Sequence, residues 1–295
     1  MLQILRSTLR LAAQYMSLAP RRQKVPDGTQ IQKTESSSNQ MTDKIIEAIK
    51  ANSINFGNVS FDLLRSFAAT DHDIWGELGR GRTILTSIQQ LDQYLYSYGL
   101  MTKSQWRQFL GDVSLPPGPL RVVDYGCGQG LGFALLFDHF GPVVANQVTE
   151  AILIEPSAVA LARAQSIISC YCSNTKIFGI NNKLDELLEG YLPSSNTAST
   201  IHLFSNILDI EDFDYGKLFT KIFGVAGRHS ILAVSHDRNF NGGSDRIRDL
   251  DKQITDPSAR EHFTLLSSAI NQFTCSNGQP AISWQVHFDI PNGSV

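Results

Sequence analysis

The chain has 295 residues, 42% of them hydrophobic and 18% charged, with 22 glycines and 11 prolines. That composition supplies a sizeable core and excludes a chain that is low-complexity throughout, and at about 150 residues per domain the length allows two domains or one with an extension. Twenty-five basic against 28 acidic residues give a formal charge of −3, which argues against affinity drawn mainly from neutralising phosphates.

Four cysteines, Cys127, Cys170, Cys172 and Cys275, include no C-x-x-C pair, so neither structural zinc nor a disulfide framework is expected and a reducing compartment fits best. No apolar run approaches the ~18 residues of a membrane span.

Residues 1–24 carry Arg6, Arg10, Arg21, Arg22 and Lys24 and no acid, with Leu2, Ile4, Leu5, Leu9, Leu11 and Tyr15 interspersed. This composition resembles an organellar transit peptide and is too interrupted for a secretory signal. The other reading, a non-native or alternative start, is favoured by the linker-like residues 34–40 (TESSSNQ) and the fresh helical pattern MTDKIIEAIKA opening at Met41. Under either reading, residues 1–40 are a flexible leader or tail outside the folded core. They hold six bases and two acids, so the remainder carries a formal −7.

Residues 41–115 read as a helical cap. Ile45, Ile46 and Ile49 form one stripe, and Ile84, Ile88, Leu91, Leu95 and Tyr98 recur at three- and four-residue steps. The run 115–120 (LPPGPL) cannot continue a helix, because each proline removes a donor and restricts its predecessor.

From residue 116 the texture becomes short apolar runs separated by helix-length segments: 121–125 (RVVDY), 151–154 (AILI), 176–180 (KIFGI), 200–204 (TIHLF) and 230–234 (SILAV). Strands apolar on both faces, alternating with helices, predict a covered parallel sheet. The last two runs, 272–275 and 282–290, are joined by a connection too short for a crossover, so they predict an antiparallel hairpin.

The first strand leads into Asp124-Tyr125-Gly126-Cys127-Gly128-Gln129-Gly130 and then a helical run from Leu131 to Phe140. Alternate glycines let the backbone approach a ligand, and the following helix offers unpaired N–H groups. A dinucleotide fingerprint would require glycine where Leu131 stands, which disfavours a nicotinamide oxidoreductase.

This segment resembles the first motif of class I S-adenosylmethionine-dependent methyltransferases, apolar-apolar-(D/E)-x-G-x-G-x-G, and the resemblance extends over residues 85–290. It implies an α/β fold: a Rossmann-like seven-stranded methyltransferase sheet, mostly parallel, with an antiparallel carboxyl-terminal hairpin and a helical amino-terminal cap. It also implies S-adenosyl-L-methionine as cofactor. By position, Gly126, Cys127, Gly128 and Gly130 would surround the amino-acid part, and Asp124 would orient its ammonium group. Glu155, ending the second strand before Pro156, falls where the family places the carboxylate that accepts both ribose hydroxyls. Asn181 and Asn182 fall where a polar residue reads the adenine amino group, and Ser205 and Asn206 at the end of the fourth strand should lie near the methyl group. The spacing from Asp124 to Glu155 is 31 residues, and the excess is expected within 141–149. The (D/N/S)-P-P-(Y/F) motif is missing, since Ile207 and Leu208 occupy its proline positions, so an adenine- or glutamine-nitrogen acceptor is not supported.

Asp209 after the fourth strand and His236 with Asp237 after the fifth are the candidates for general-base work. A base is optional, because holding acceptor and donor together in a dry pocket can supply much of the rate. Ser235, His236 and Asp237 are adjacent and cannot form a hydrolase relay by themselves, and no G-x-S-x-G elbow or metal-binding histidine spacing occurs. His139, His202 and His287 sit in apolar runs and read as core histidines. Tyr94 and Trp106 read as core packing ahead of a role at the pocket. Residues 238–244 (RNFNGGS) read as a lid or a connector.

The function expected is a cytoplasmic methyltransferase acting on a small-molecule or protein acceptor in preference to nucleic acid, or an organellar one if residues 1–24 are a transit peptide. A non-catalytic S-adenosylmethionine-binding regulatory or assembly protein of the same fold is the alternative.

Overall fold

A computed structural model describes residues 42–194, 197–210, 213–237, 243–260 and 262–292. The expectations for the leader, 1–40, lie outside the described residues, as does most of the suggested lid, 238–242.

Seven strands form one sheet in the order β3-β2-β1-β4-β5-β7-β6. They are β1 Leu120–Tyr125, β2 Val148–Ile154, β3 Lys176–Ile180, β4 Ser199–Ser205, β5 Gly227–His236, β6 Thr264–Thr274 and β7 Pro280–Ile290. The first five are mutually parallel and β7 runs antiparallel to both β5 and β6. This is the mostly parallel sheet with a terminal hairpin that the sequence predicts. The sixth strand is much longer than the predicted 272–275. It lies at the sheet edge with most side chains exposed and carries a register shift between Leu265 and Ser267, so it lacks the apolar run by which buried strands are recognised.

The helices are α1 Lys44–Lys50, α2 Phe61–Ser66, α3 Ile88–Leu110, α4 Leu131–Gln147, α5 Ala158–Tyr171, α6 Tyr215–Phe223 and α7 Gly243–Thr255. Ser60, Ser87, Ser157 and Asp214 cap four of them through side-chain oxygens, satisfying N–H groups that have no partner within the helix. Ile84, placed in the predicted helical stripe, lies ahead of α3 and is 42% exposed; the helix begins only where Ser87 can cap it. α4 is kinked at Gly141, at φ 70° and ψ −164°, immediately before Pro142. The kinked second half accounts for most of the long spacing between β1 and β2.

Alternate side chains of β1 enter opposite layers, as a pleat requires. Leu120 and Val122 pack with α4, α5 and the amino-terminal helices, including Ile45, Phe61 and Trp106. Val123 and Tyr125 pack with α6, α7 and the inner face of β7. Within the second layer runs a chain of polar side chains. Tyr191 and Tyr125 hydroxyls lie 2.9 Å apart, Tyr125 is 2.9 Å from Nδ1 of His202, His202 Nε2 is 3.0 Å from Nδ1 of His229, and His229 Nε2 is 2.9 Å from the Val225 carbonyl. His202 is thus a satisfied core histidine. His139 is exposed, and His287 is half-buried and bonded to Ser230, because each points from an amphipathic element toward its wetter side. Among the described residues, no helix is long and apolar enough to cross a membrane.

Candidate functional site

The carboxyl ends of β1, β2 and β4 open onto a cleft of about 270 Å³. Its floor is the loop from β1 to α4, where Gly126, Gly128 and Gly130 have φ of 61°, 53° and 82°. A Cβ on Gly126 would stand 2.7 Å from Ile207 of the β4 loop, and one on Gly130 would stand 3.3 Å from the backbone of Ala164 on α5. These two glycines allow close packing within the protein. At Gly128 a Cβ would meet nothing within 4 Å, so its bare backbone faces the open cleft.

Glu155 is 8% exposed and borders the cleft. Its Oε2 accepts from the Gly128 N–H at 3.0 Å and its Oε1 from the Ser157 N–H at 2.9 Å. Each oxygen keeps further lone-pair capacity, so a carboxylate already fixed in place can still accept two adjacent hydroxyls. Burial raises its pKa, with the two backbone donors acting the other way.

Asp124 is 1% exposed, and among the described residues neither carboxylate oxygen has a hydrogen-bond partner. Burial first, and the charge of Glu155 second, push its pKa well above the ordinary carboxylate value. A buried acid without a donor costs roughly 1–3 kcal/mol. A positively charged group placed nearby would offset that cost. The Cys127 thiol is likewise pushed up by burial and by Asp124 and Glu155, which holds it in the unreactive protonated form.

Opposite the glycine loop, the cleft is walled by Gly81, Thr83, Leu85 and Tyr94 from the amino-terminal segment. Leu85 is latched there by the Ser157 hydroxyl, which donates to its carbonyl. Ile207, Ile210 and Phe213 line the β4 side, and Arg82 and Lys183 also border the opening. Tyr94 was expected mainly as packing, yet it borders the cleft; burial, with Tyr98, Asp209 and Glu155 adding, pushes its phenol up to about 12. The group therefore stays a hydrogen-bond donor at neutral pH. Its periodic position on a helix gave no signal separating cleft from core.

Of the residues expected at the site, Gly126, Cys127, Gly128, Glu155, Pro156, Ser205 and Asn206 line the cleft. Asp124 and Gly130 are not among the lining residues. Asn182 donates to the Glu186 carbonyl, while Asn181 donates to the carbonyls of Glu155 and Pro156 and steadies the β2 end. Ser205 accepts from Trp106 Nε1 at 2.9 Å, and the amide of Asn206 pairs with Gln105. Trp106 is fully buried, as expected, and also holds the β4 loop. Asp209 and His236 are each 8% exposed and stand outside the cleft lining. Asp209 is close enough to act on Tyr94 electrostatically, whereas His236 ends β5 opposite Ala281 of β7. No trio of candidate metal ligands is clustered among the described residues.

No family model and no curated protein matches the sequence. Solved structures do resemble it in shape. A magnesium protoporphyrin IX methyltransferase from Synechocystis PCC 6803 with bound S-adenosylmethionine is 15% identical, at TM-score 0.40 over 74% of this chain and 98% of its own. An rRNA methylase from Streptococcus thermophilus is 15% identical, at TM-score 0.36 over 65% and 96%. An arsenic(III) S-adenosylmethionine methyltransferase from Chlamydomonas reinhardtii is 16% identical, at TM-score 0.40 over 64% and 74%. Likenesses this loose leave the reading of the site to its own residues.

Proposed function

We propose that the chain is an S-adenosylmethionine-dependent methyltransferase. The observation that carries this reading is a pair of acids at the start of the glycine loop: Glu155, fixed by the N–H groups of Gly128 and Ser157 and bordering the cleft, and Asp124, buried near the end of β1 with no donor among the described residues. One suits a pair of vicinal hydroxyls and the other an ammonium group, and Gly128 presents bare backbone to the cleft. The residues present therefore fit S-adenosylmethionine. When bound, that cofactor supplies a methyl carbon activated by the positive charge on sulfur.

Glu155 would hold the ribose, since two charge-assisted hydrogen bonds contribute about 1.5–3 kcal/mol each. Asp124 would orient the ammonium group. Tyr94, still protonated, would donate a hydrogen bond into the cleft from the amino-terminal wall. Ile207, Ile210 and Phe213 would keep water from the β4 side, where an acceptor must approach. Asp209 lies near enough to Tyr94 to serve the acceptor through that phenol, and we assign His236 no contact with it. The modest cleft and the acidic balance of residues 41–295 favour a small-molecule or protein acceptor over nucleic acid.

Isothermal titration with S-adenosylhomocysteine tests the cofactor, and incubation of labelled S-adenosylmethionine with fractionated lysate tests transfer. Binding together with label entering a small-molecule or protein fraction supports the reading. Label entering RNA would overturn the acceptor class, binding without transfer would favour a non-catalytic binding protein, and no binding at high micromolar concentration would sink both.

A further inference from the structure

Gln129 is the side chain set between Gly128 and Gly130, and it is only 2% exposed. Both ends of its amide are engaged within the protein. Oε1 accepts from Nη1 of Arg163 at 3.0 Å, and Nε2 donates to the Leu91 carbonyl at 3.0 Å. Arg163, on α5, is completely buried. Its Nε reaches Asp43 at 2.7 Å and its Nη2 pairs with Asp92 at 2.8 Å. The other oxygen of Asp43 caps α1, accepting from Ile45 and Ile46. Leu91 and Asp92 lie in the first turns of α3. One guanidinium therefore gathers two acids of the amino-terminal helices and the only long side chain of the glycine loop.

We propose that Gln129 is a positioning residue for cofactor binding: it fixes the backbone around Gly128 in advance, and through Arg163 it makes the docking of α1 and α3 a condition of cofactor affinity. The proposal rests on the methyltransferase reading above. Glycines at 126, 128 and 130 have no side chains to hold their backbone, and a loop that must be ordered on binding spends part of its interaction free energy on that ordering. Two buried hydrogen bonds from Gln129, one of them to a charged donor, remove that cost before the ligand arrives. The same bonds register the loop against the opposite wall, because Leu91 follows the cleft-lining residues 81–85 and precedes Tyr94 on α3. The polar side chain at this position thus serves the cleft from behind.

The test uses the full chain with three substitutions. Gln129→Leu removes both bonds, Gln129→Glu keeps an acceptor for Arg163 but loses the donor to Leu91, and His229→Phe perturbs the core in the opposite layer as a control for general destabilisation. Affinity for S-adenosylhomocysteine is measured by calorimetry well below each unfolding temperature, and hydrogen exchange of peptides spanning 120–131 is followed without ligand. Gln129→Leu is expected to speed exchange in that loop and weaken binding about tenfold, Gln129→Glu to lie between it and the unaltered chain, and His229→Phe to change neither. Unchanged loop exchange, unchanged affinity, or an equal loss in His229→Phe would each overturn the proposal. An unaltered chain that fails to bind S-adenosylhomocysteine would instead remove the methyltransferase reading beneath it.

Discussion

Gln105 and Asn206 exchange two hydrogen bonds between their amides: Nε2 of Gln105 donates to Asn206 at 3.1 Å, and Nδ2 of Asn206 donates back at 2.8 Å. Gln105 is fully buried on α3, and Asn206 turns the chain after β4 at φ 54°. The pair compensates a backbone conformation that non-glycine residues rarely adopt. Gln105→Leu is expected to cost about 1–3 kcal/mol, because it leaves the Asn206 amide unpaired. Thermal unfolding should shift down by several degrees; no shift would show that the pair contributes no net stability.

Asp124→Asn should separate stability from binding. Replacing a buried carboxylate by a neutral amide is expected to raise the unfolding temperature of the ligand-free chain and to weaken S-adenosylhomocysteine binding about tenfold or more. Differential scanning fluorimetry and calorimetry on the same samples check both signs. Loss of stability together with unchanged affinity would remove Asp124 from the site.

Gly128→Ala places its new methyl group in open cleft, so the ligand-free fold bears only the φ penalty of about 1–2 kcal/mol. Cofactor affinity should fall far more steeply if the proposed site is right, because the methyl group would enter the open space that Gly128 leaves in the cleft. Glu155→Ala should weaken binding at least tenfold through the lost hydroxyl contacts. Both variants should retain a native circular dichroism spectrum. Full affinity in both would place the cofactor elsewhere.

Acid should weaken the fold through the buried imidazoles. Burial, then His229 and Arg121, hold His202 well below the usual histidine value; burial chiefly holds His229 at about 4. Half-buried His287 is shifted the same way. The unfolded chain takes up these protons near pH 6.5 while the folded chain does not. Their contribution is therefore complete above about pH 6.5 and is lost as pH falls toward 4, by at most about 1.4 kcal/mol per pH unit for each ring. Buried acids with raised values, Asp124 among them, act in the opposite sense, so the decisive comparison is between variants. Urea midpoints between pH 7.5 and 5 should fall less steeply in His202→Phe/His229→Phe than in the unaltered chain; parallel slopes would exclude these rings.

The sheet was legible because four of its five parallel strands, β1, β2, β4 and β5, are inner and carry long buried apolar runs, and the glycine loop because strand, acid, glycines and helix occur in a fixed order. Less than half of β6 is legible in the sequence, since an edge strand facing water carries Ser, Thr and Asn where an inner strand carries Ile and Val. At the site, Glu155 and the loop could be placed from motif spacing. The cleft position of Tyr94 and the inward engagement of Gln129 could not, because both depend on how α3 crosses the sheet, which helical periodicity leaves open. Asp209 follows β4 and His236 ends β5, and position beside a strand end carries no sign that neither borders the cleft.

The polar chain in the second layer has a direction. A backbone carbonyl only accepts, so Val225 requires the hydrogen on Nε2 of His229; that neutral ring must then accept at Nδ1, which places the hydrogen of His202 on its Nε2. His202 Nδ1 in turn requires Tyr125 to donate, and Tyr125 can then accept from Tyr191. A single carbonyl thus selects the tautomer of two imidazoles and the orientation of two phenols. A proton added at Nδ1 of His229 would reverse its bond with His202 and, through that ring, the bond with Tyr125, whereas one added at Nδ1 of His202 would reverse the Tyr125 bond alone.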